Sequence, residues 1–181
     1  MRKTWVSILA LTAVVLSGCA AFTTRADDAG VPDDEEFLVD ELPEAAPAFA
    51  AHFTDPIYDD PATEFAPFGS DEGWDLLHEW DERRDELTPQ TTVADLIKGS
   101  GFADLVSEAG FEFSDDIPEP GGLEDAATIV VGAGFTLLRL TGQIDAEGRR
   151  ETLRALDLLI ERYDAPPELV RERDDLQSWA G

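Results

Sequence analysis

"TIVVGAGFTLLRL", residues 128–140, decides the fold. Its β-branched run, Gly-Ala-Gly and second apolar run read either as the strand, phosphate loop and helix of a dinucleotide-binding unit, or as a single helix that is apolar nearly all round. The dinucleotide fingerprint needs a third small residue where helix and strand pack closely, and that position holds Leu137. Glu151 lies at about the distance of the ribose-binding acid, but it belongs to the next amphipathic stretch and not to the end of a second strand. Only 47 residues follow Gly134, and they read as two helices, which leaves no parallel strands for a sheet. No nucleotide and no nicotinamide or flavin cofactor is therefore expected. A membrane span is excluded as well: Asp125 and Arg139 bracket thirteen uncharged residues, short of the roughly 20 a bilayer requires. The stretch is expected as a buried helix over 124–140. In it, Ala126, Ala127, Gly132, Ala133 and Gly134 allow neighbouring helices to come close. Each interior glycine costs about 1 kcal/mol of helix propensity against alanine, so close packing is the reason to keep them.

Working outward, Gly142 stops this helix and Asp145 caps the next, whose apolar stripe is Leu153, Leu156, Ile160 and Tyr163, with Arg149, Arg150, Glu151 and Arg154 as its polar surface. Pro166-Pro167 breaks the chain and seeds a last helix carrying Leu169, Leu176 and Trp179. Upstream, Ser70 is the N-cap of a helix expected to run to about Glu86 on Trp74, Leu77, Trp80 and Leu87. Thr92 and Asp95 open another, which passes through Leu96 and Ile97 and is stopped at Gly99. Phe102, Leu105 and Val106 mark a short segment ending near Gly110; Phe111-Glu112-Phe113 is too short to establish a sheet, and 114–122 is a loop. The fold class is all-α, a small bundle of about four to five helices.

The start of the chain points to a location. Arg2 and Lys3 precede an apolar run of thirteen residues, 4–16, which passes into Leu16-Ser17-Gly18-Cys19. So short a run is a signal peptide and not a span. The four residues resemble the lipobox of bacterial lipoproteins, which implies removal of residues 1–18 and a lipidated Cys19 as the first mature residue. Cys19 is the only cysteine, so a disulfide within the chain is impossible and a cysteine nucleophile is not available. Loss of residues 1–18 leaves 11 basic residues against 40 acidic ones, a charge of −29. That excess repels nucleic acid and anionic lipid headgroups, so the membrane link is the lipid itself and nucleic acid is not a partner. Residues 20–51 hold nine acids, one base and three prolines without periodicity, too little apolar surface to offset chain entropy. They are expected as a disordered tether, apart from a short docking turn at Phe37, Leu38, Val39 and Leu42, and the helical domain is expected over 52–181.

Candidate chemistry is sparse. "HEWDE", 78–82, lacks the second histidine of a zinc protease motif, since position 82 is Glu82. His78 and Glu82 share a helix face, and His52 is the only other histidine. Asp55, Asp59, Asp60, Glu64, Asp71, Glu72 and Asp75 are dense enough to raise calcium, but their spacing is not that of an EF-hand loop and reads as a solvated acidic surface. There is no G-x-S-x-G elbow. Neither an enzyme nor a resident metal or cofactor is expected.

"DPIYDDPATEFAPFGSDEGWDLLHEW", 55–80, resembles the signature region of the YfeS-like bacterial family on Ala66, Pro67, Phe68, Gly69, Ser70, Asp71, Gly73 and Asp75. "ATIVVGAGFTLLRLTGQID" is similar to a small-residue helix and turn in the same proteins. The resemblance implies a helix there and no catalytic residues; the lipobox and acidic tether depart from the family's cytoplasmic members. Pro67, Phe68 and Gly69 wedge a ring under the first helix, with Ser70 capping and Gly73 and Trp74 completing a structural corner. Glu64, Asp71, Asp75 and His78 are the candidate binding residues beside it. The expected protein is a cell-envelope lipoprotein, anchored on the extracytoplasmic side, whose acidic domain binds a basic protein partner without catalysis. The alternatives are an immunity-type protein covering a basic toxin, or a divalent-cation module.

Overall fold

The computed structural model describes residues 41–109 and 122–181. The expected signal peptide, Cys19, the tether as far as residue 40 with its Phe37-Leu38-Val39 turn, Gly110, Phe111-Glu112-Phe113 and the loop over 114–121 lie outside the described residues. Seven α-helices are described: α1 Pro47–His52, α2 Asp71–Glu82, α3 Val93–Lys98, α4 Ala103–Ala109, α5 Gly122–Thr141, α6 Ala146–Arg162 and α7 Pro167–Ser178. Two 3-10 turns, Pro56–Asp59 and Arg84–Glu86, join them, and no strand occurs among the described residues. The fold is all-α. The four longer helices are α2, α5, α6 and α7.

The opening stretch is one helix. Every residue from 129 to 140 is buried, Thr136 and Arg139 included, because α5 packs against α1, α2, α3, α4 and α6, while α7 packs on α6. Its glycines mark the tightest approaches. A Cβ on Gly132 would lie 2.9 Å from the Cα of Gly73 in α2, and one on Gly134 would lie 2.4 Å from Thr152 Oγ1 in α6. Gly132 is thus a contact point with the α2 backbone and Gly134 a seat for the Thr152 side chain of α6, and neither is a phosphate cradle. Gly142, at φ +72°, ends α5 in the left-handed region that glycine enters without strain.

Three parts of the sequence reading need correction. The compact unit runs Asp40–Gly181, so residues 41–51, assigned above to the tether, belong to the fold. Phe49 is buried, Leu42 and Ala45 pack on the core, and Arg139 binds the segment from inside. Its Nε donates to Pro43 O at 2.8 Å and its Nη1 to Tyr58 O at 2.9 Å. Nη1 also meets Asp59 Oδ1 at 2.9 Å. The backbone N–H of Ala46 donates in return to Arg139 O at 2.6 Å. A composition average over 20–51 cannot show that its last residues have a partner elsewhere in the chain.

The α2 helix is shorter than its apolar spacing implies: it ends at Glu82, and Leu87 lies beyond the following 3-10 turn. Its buried face is Gly73, Leu76, Leu77 and Trp80, with Trp74 half-buried at the flank. In α6 the buried line is Gly148, Glu151, Thr152, Ala155, Leu156 and Leu159, while Tyr163 is 43% exposed and Leu153 and Ile160 are half-buried. The buried line mixes small residues with Leu156 and Leu159, and it is Thr152 that meets α5 at Gly134. Glu151, read as surface, is buried and pairs with Arg154 at 3.1 Å and Arg150 at 3.3 Å.

Candidate functional site

The corner 63–74 is held by backbone contact. Gly69 N–H donates to Ala66 O at 3.0 Å, and a Cβ on Gly69 would lie 1.8 Å from Thr63 O. A Cβ on Gly73 would lie 2.2 Å from Pro67 O. Ser70 Oγ accepts the Gly73 N–H at 3.0 Å as the N-cap of α2, and Phe68 is fully buried below it. Thr63 Oγ1 donates to Asp60 Oδ2 at 2.8 Å, and Asp60 Oδ1 accepts the Ala62 N–H at 2.9 Å. These bonds hold the Asp60 carboxyl below its ordinary pKa, the Ala62 N–H contributing most.

Above this corner lies a cleft of about 150 Å³. The corner supplies Glu64, Phe65, Ala66, Pro67 and Ser70 to its wall, and α2 supplies Glu72. From α5 come Asp125, Thr128 and Val131, from α6 Leu159, with Tyr163 at its C-cap, and from α7 Leu169 and Glu172. Phe65 and Tyr163 pack ring to ring at 5.1 Å between centroids, and the Tyr163 hydroxyl donates to Glu124 Oε2 at 3.2 Å. Asp164 and Ala165, at φ +60° and +59°, turn the chain sharply behind Tyr163 into α7. Two successive non-glycine residues in that region are strained. The turn sets the angle between the α6 and α7 sides of the cleft.

Glu172 is the unusual member. It is 0% exposed, and neither carboxyl oxygen has a hydrogen-bond partner. Burial, with a smaller contribution from Glu168 one turn back, raises its pKa well above the ordinary carboxylate value and so favours the neutral acid. A buried polar group left unpaired costs about 1–3 kcal/mol. Among the described residues no basic side chain lines the cleft.

Of the corner and acidic residues singled out over 55–80 of the sequence, Glu64, Ala66, Pro67, Ser70 and Glu72 line the cleft. Asp71 and Asp75 project into solvent from α2 without lining it, and His78 stacks on Trp74 at 4.1 Å with Nδ1 3.0 Å from Trp74 O. The acids that raised calcium are dispersed: Asp55 caps the first 3-10 turn, Asp59 meets Arg139 and Asp60 closes its own turn. Among the described residues no three His, Cys, Asp or Glu side chains stand in an arrangement that could hold a metal. Glu172 was missed, although a signal existed. It lies three residues after Leu169 and four before Leu176, on the apolar face of α7.

A second constellation joins His52 to the end of α7. His52 Nε2 lies 2.8 Å from Asp175 O and 3.3 Å from Ser178 Oγ, while Ser178 Oγ donates to Asp175 O at 2.9 Å. A nucleophilic serine needs a ring nitrogen with a free lone pair. Nε2 faces a carbonyl oxygen, which accepts only, so this nitrogen carries the hydrogen and cannot act as base toward Ser178. The pair fastens α1 to α7.

No protein-family model, no curated protein and no solved structure matches the chain. No helix among the described residues is long and apolar enough to cross a membrane.

Proposed function

We propose that the protein is an envelope lipoprotein held by Cys19, and that its helical domain is a non-catalytic binding module for a cationic partner, working through the cleft at Glu172. The carrying observation is the unpartnered carboxyl of Glu172 in an opening lined by Glu64, Glu72 and Asp125. A carboxyl kept in this way costs the domain stability, the trade made at functional sites. The balance of 33 acidic against 10 basic residues over 41–181 favours a positively charged one. The Leu-Ser-Gly-Cys run supports the anchor.

The test of the binding site needs no ligand. Glu172→Leu replaces the unpaired carboxyl with an apolar group of similar size, and the full chain in non-ionic detergent is expected to gain about 1–3 kcal/mol in thermal or denaturant unfolding. A structural carboxyl gives the opposite result, a lower midpoint, and the binding-site reading then falls. Intact mass of chain extracted from membranes tests the anchor. The expected form lacks residues 1–18 and carries acyl chains on Cys19, and Cys19→Ala leaves an unprocessed precursor.

A further inference from the structure

We infer that the cleft takes a primary alkylammonium ion, with the ammonium at the Glu172 carboxyl and the hydrocarbon chain against Phe65 and Tyr163. The inference rests on the cleft being the binding site. Charge, shape and hydrogen bonding together select this ligand class. The first is sign: among the described residues, the titratable groups that act on Glu172 or line the cleft with it are Glu168 on its own helix, Tyr58 from the 3-10 turn, and Glu64, Glu72, Asp125 and Tyr163. All are acids or neutral phenol, so an anion is repelled and a cation attracted.

The second is shape. A space of about 150 Å³ is on the order of what holds one benzene-sized molecule. Its aromatic and aliphatic walls, Phe65, Tyr163, Val131, Leu159 and Leu169, suit a short chain and not a hydrated metal ion, which demands several oxygens at once. The third is hydrogen bonding. An ammonium brings three donors and no acceptor. The Glu172 oxygens stand without donors. Thr128, also in the lining, has its hydroxyl hydrogen committed to Glu124 O at 3.0 Å, which leaves the oxygen as an acceptor only.

The neutral acid favoured in the free domain must ionise on binding. The Glu172 O–H bond breaks, its electron pair stays on the carboxylate to face the ammonium, and the proton goes to buffer. Binding therefore tightens with rising pH, by up to about tenfold per unit, until Glu172 is ionised in the free chain.

The test titrates the full chain in non-ionic detergent with n-butylammonium chloride, beside 1-butanol, sodium butyrate and calcium chloride, following heat and melting temperature. Butylammonium alone is expected to bind. Parallel titrations in two buffers of different ionisation heat are expected to show net proton release on binding, which is lost in Glu172→Gln. Glu172→Gln, with helicity equal to wild type, is expected to lose at least roughly tenfold in affinity. A short lysine peptide amide that binds more tightly than butylammonium assigns the ammonium to a partner protein's lysine. Binding of the free amine without the peptide assigns it to a small amine. No response to butylammonium, an equal response to butanol, or unchanged affinity in Glu172→Gln overturns the inference. If this fails while Glu172→Leu melts higher, only the ligand class is lost. If Glu172→Leu melts lower, the binding site is lost with it.

Discussion

The carboxylate of Asp145 accepts the backbone N–H of Val93, 52 residues earlier in the chain, at 2.9 Å, while its other oxygen accepts the N–H of Gly148 at 2.8 Å. One side chain therefore serves the first turns of both α3 and α6. Removal of an ordinary N-cap costs about 0.5–2 kcal/mol. Asp145→Ala is expected to lose about 2 kcal/mol or more, because α6 loses its N-cap and the Val93 N–H at the start of α3 loses its acceptor, while Thr92 still caps α3. Asp145→Asn, with one acceptor oxygen, is expected to lose roughly half of that. Urea unfolding of the three proteins gives the comparison, and equal losses for Ala and Asn would show that only one of the two bonds matters.

Gly73 and Gly132 meet where α2 crosses α5, and a Cβ on Gly132 would press on the Gly73 backbone at 2.9 Å. Gly132→Ala gains about 1 kcal/mol of helix propensity but forces two backbones apart, at about 1–3 kcal/mol. It is expected to lower the melting temperature. Gly101, with nothing within 4 Å of a built Cβ, is the control: Gly101→Ala is expected to stay within about 0.5 kcal/mol of wild type.

Arg139 is 4% exposed, whereas the Asp59 side chain it meets is 72% exposed. The two backbone carbonyls, at Pro43 and Tyr58, therefore carry the interaction. Asp59→Asn is expected to cost less than about 1 kcal/mol. Arg139→Met leaves those carbonyls without their donor and is expected to cost about 3 kcal/mol. Limited proteolysis is then expected to cut within 41–51 in the variant, at protease levels that leave the wild-type segment intact.

Glu172 also makes stability fall as pH rises. Below the ordinary value of 4.5 both folded and unfolded chains hold its proton. Above that, and up to the raised folded value, only the folded chain holds it, so unfolding becomes easier by up to about 1.4 kcal/mol per pH unit. Glu172→Gln cannot titrate and is expected to show a flatter melting profile from about pH 4.5 upward. Parallel wild-type and variant curves would remove this assignment, since the charge repulsion common to both chains cancels in the difference.

The turn behind Tyr163 offers a stabilising change. Ala165 stands at φ +59°, where a side chain costs about 1–2 kcal/mol and glycine does not. Ala165→Gly is expected to raise unfolding stability by about 1 kcal/mol, a net of relieved strain and greater unfolded-chain entropy, measured by denaturant midpoint.

Periodicity and caps made most of the fold legible. Ser70, Thr92 and Asp145 are N-caps as read, and the helix expected over 124–140 is Gly122–Thr141. These signals are local: a cap and its helix lie within a few residues. What was not legible is pairing across the chain. Arg139 reads as a charge ending an apolar run until Pro43 and Tyr58 are brought beside it, and Asp145 shows one cap in sequence and two in space. The candidate site was half legible. The corner 64–70 borders the cleft, but its far wall, Tyr163 and Glu172, lies about a hundred residues away. Glu172 on the Leu169–Leu176 face was the one visible sign that an acid was being buried.

The grip on residues 43–46 bears on how the domain would carry tension. A pull on the chain ahead of residue 41 enters through Pro43 O and Glu44 O, held by Arg139 and Arg84. Both guanidiniums lie at the C-terminal end of α5, Arg139 within that helix and Arg84 through Leu140 O at 2.9 Å. The load therefore reaches the best-packed helix first, and the cleft on the other side of the corner is spared until those bonds give way.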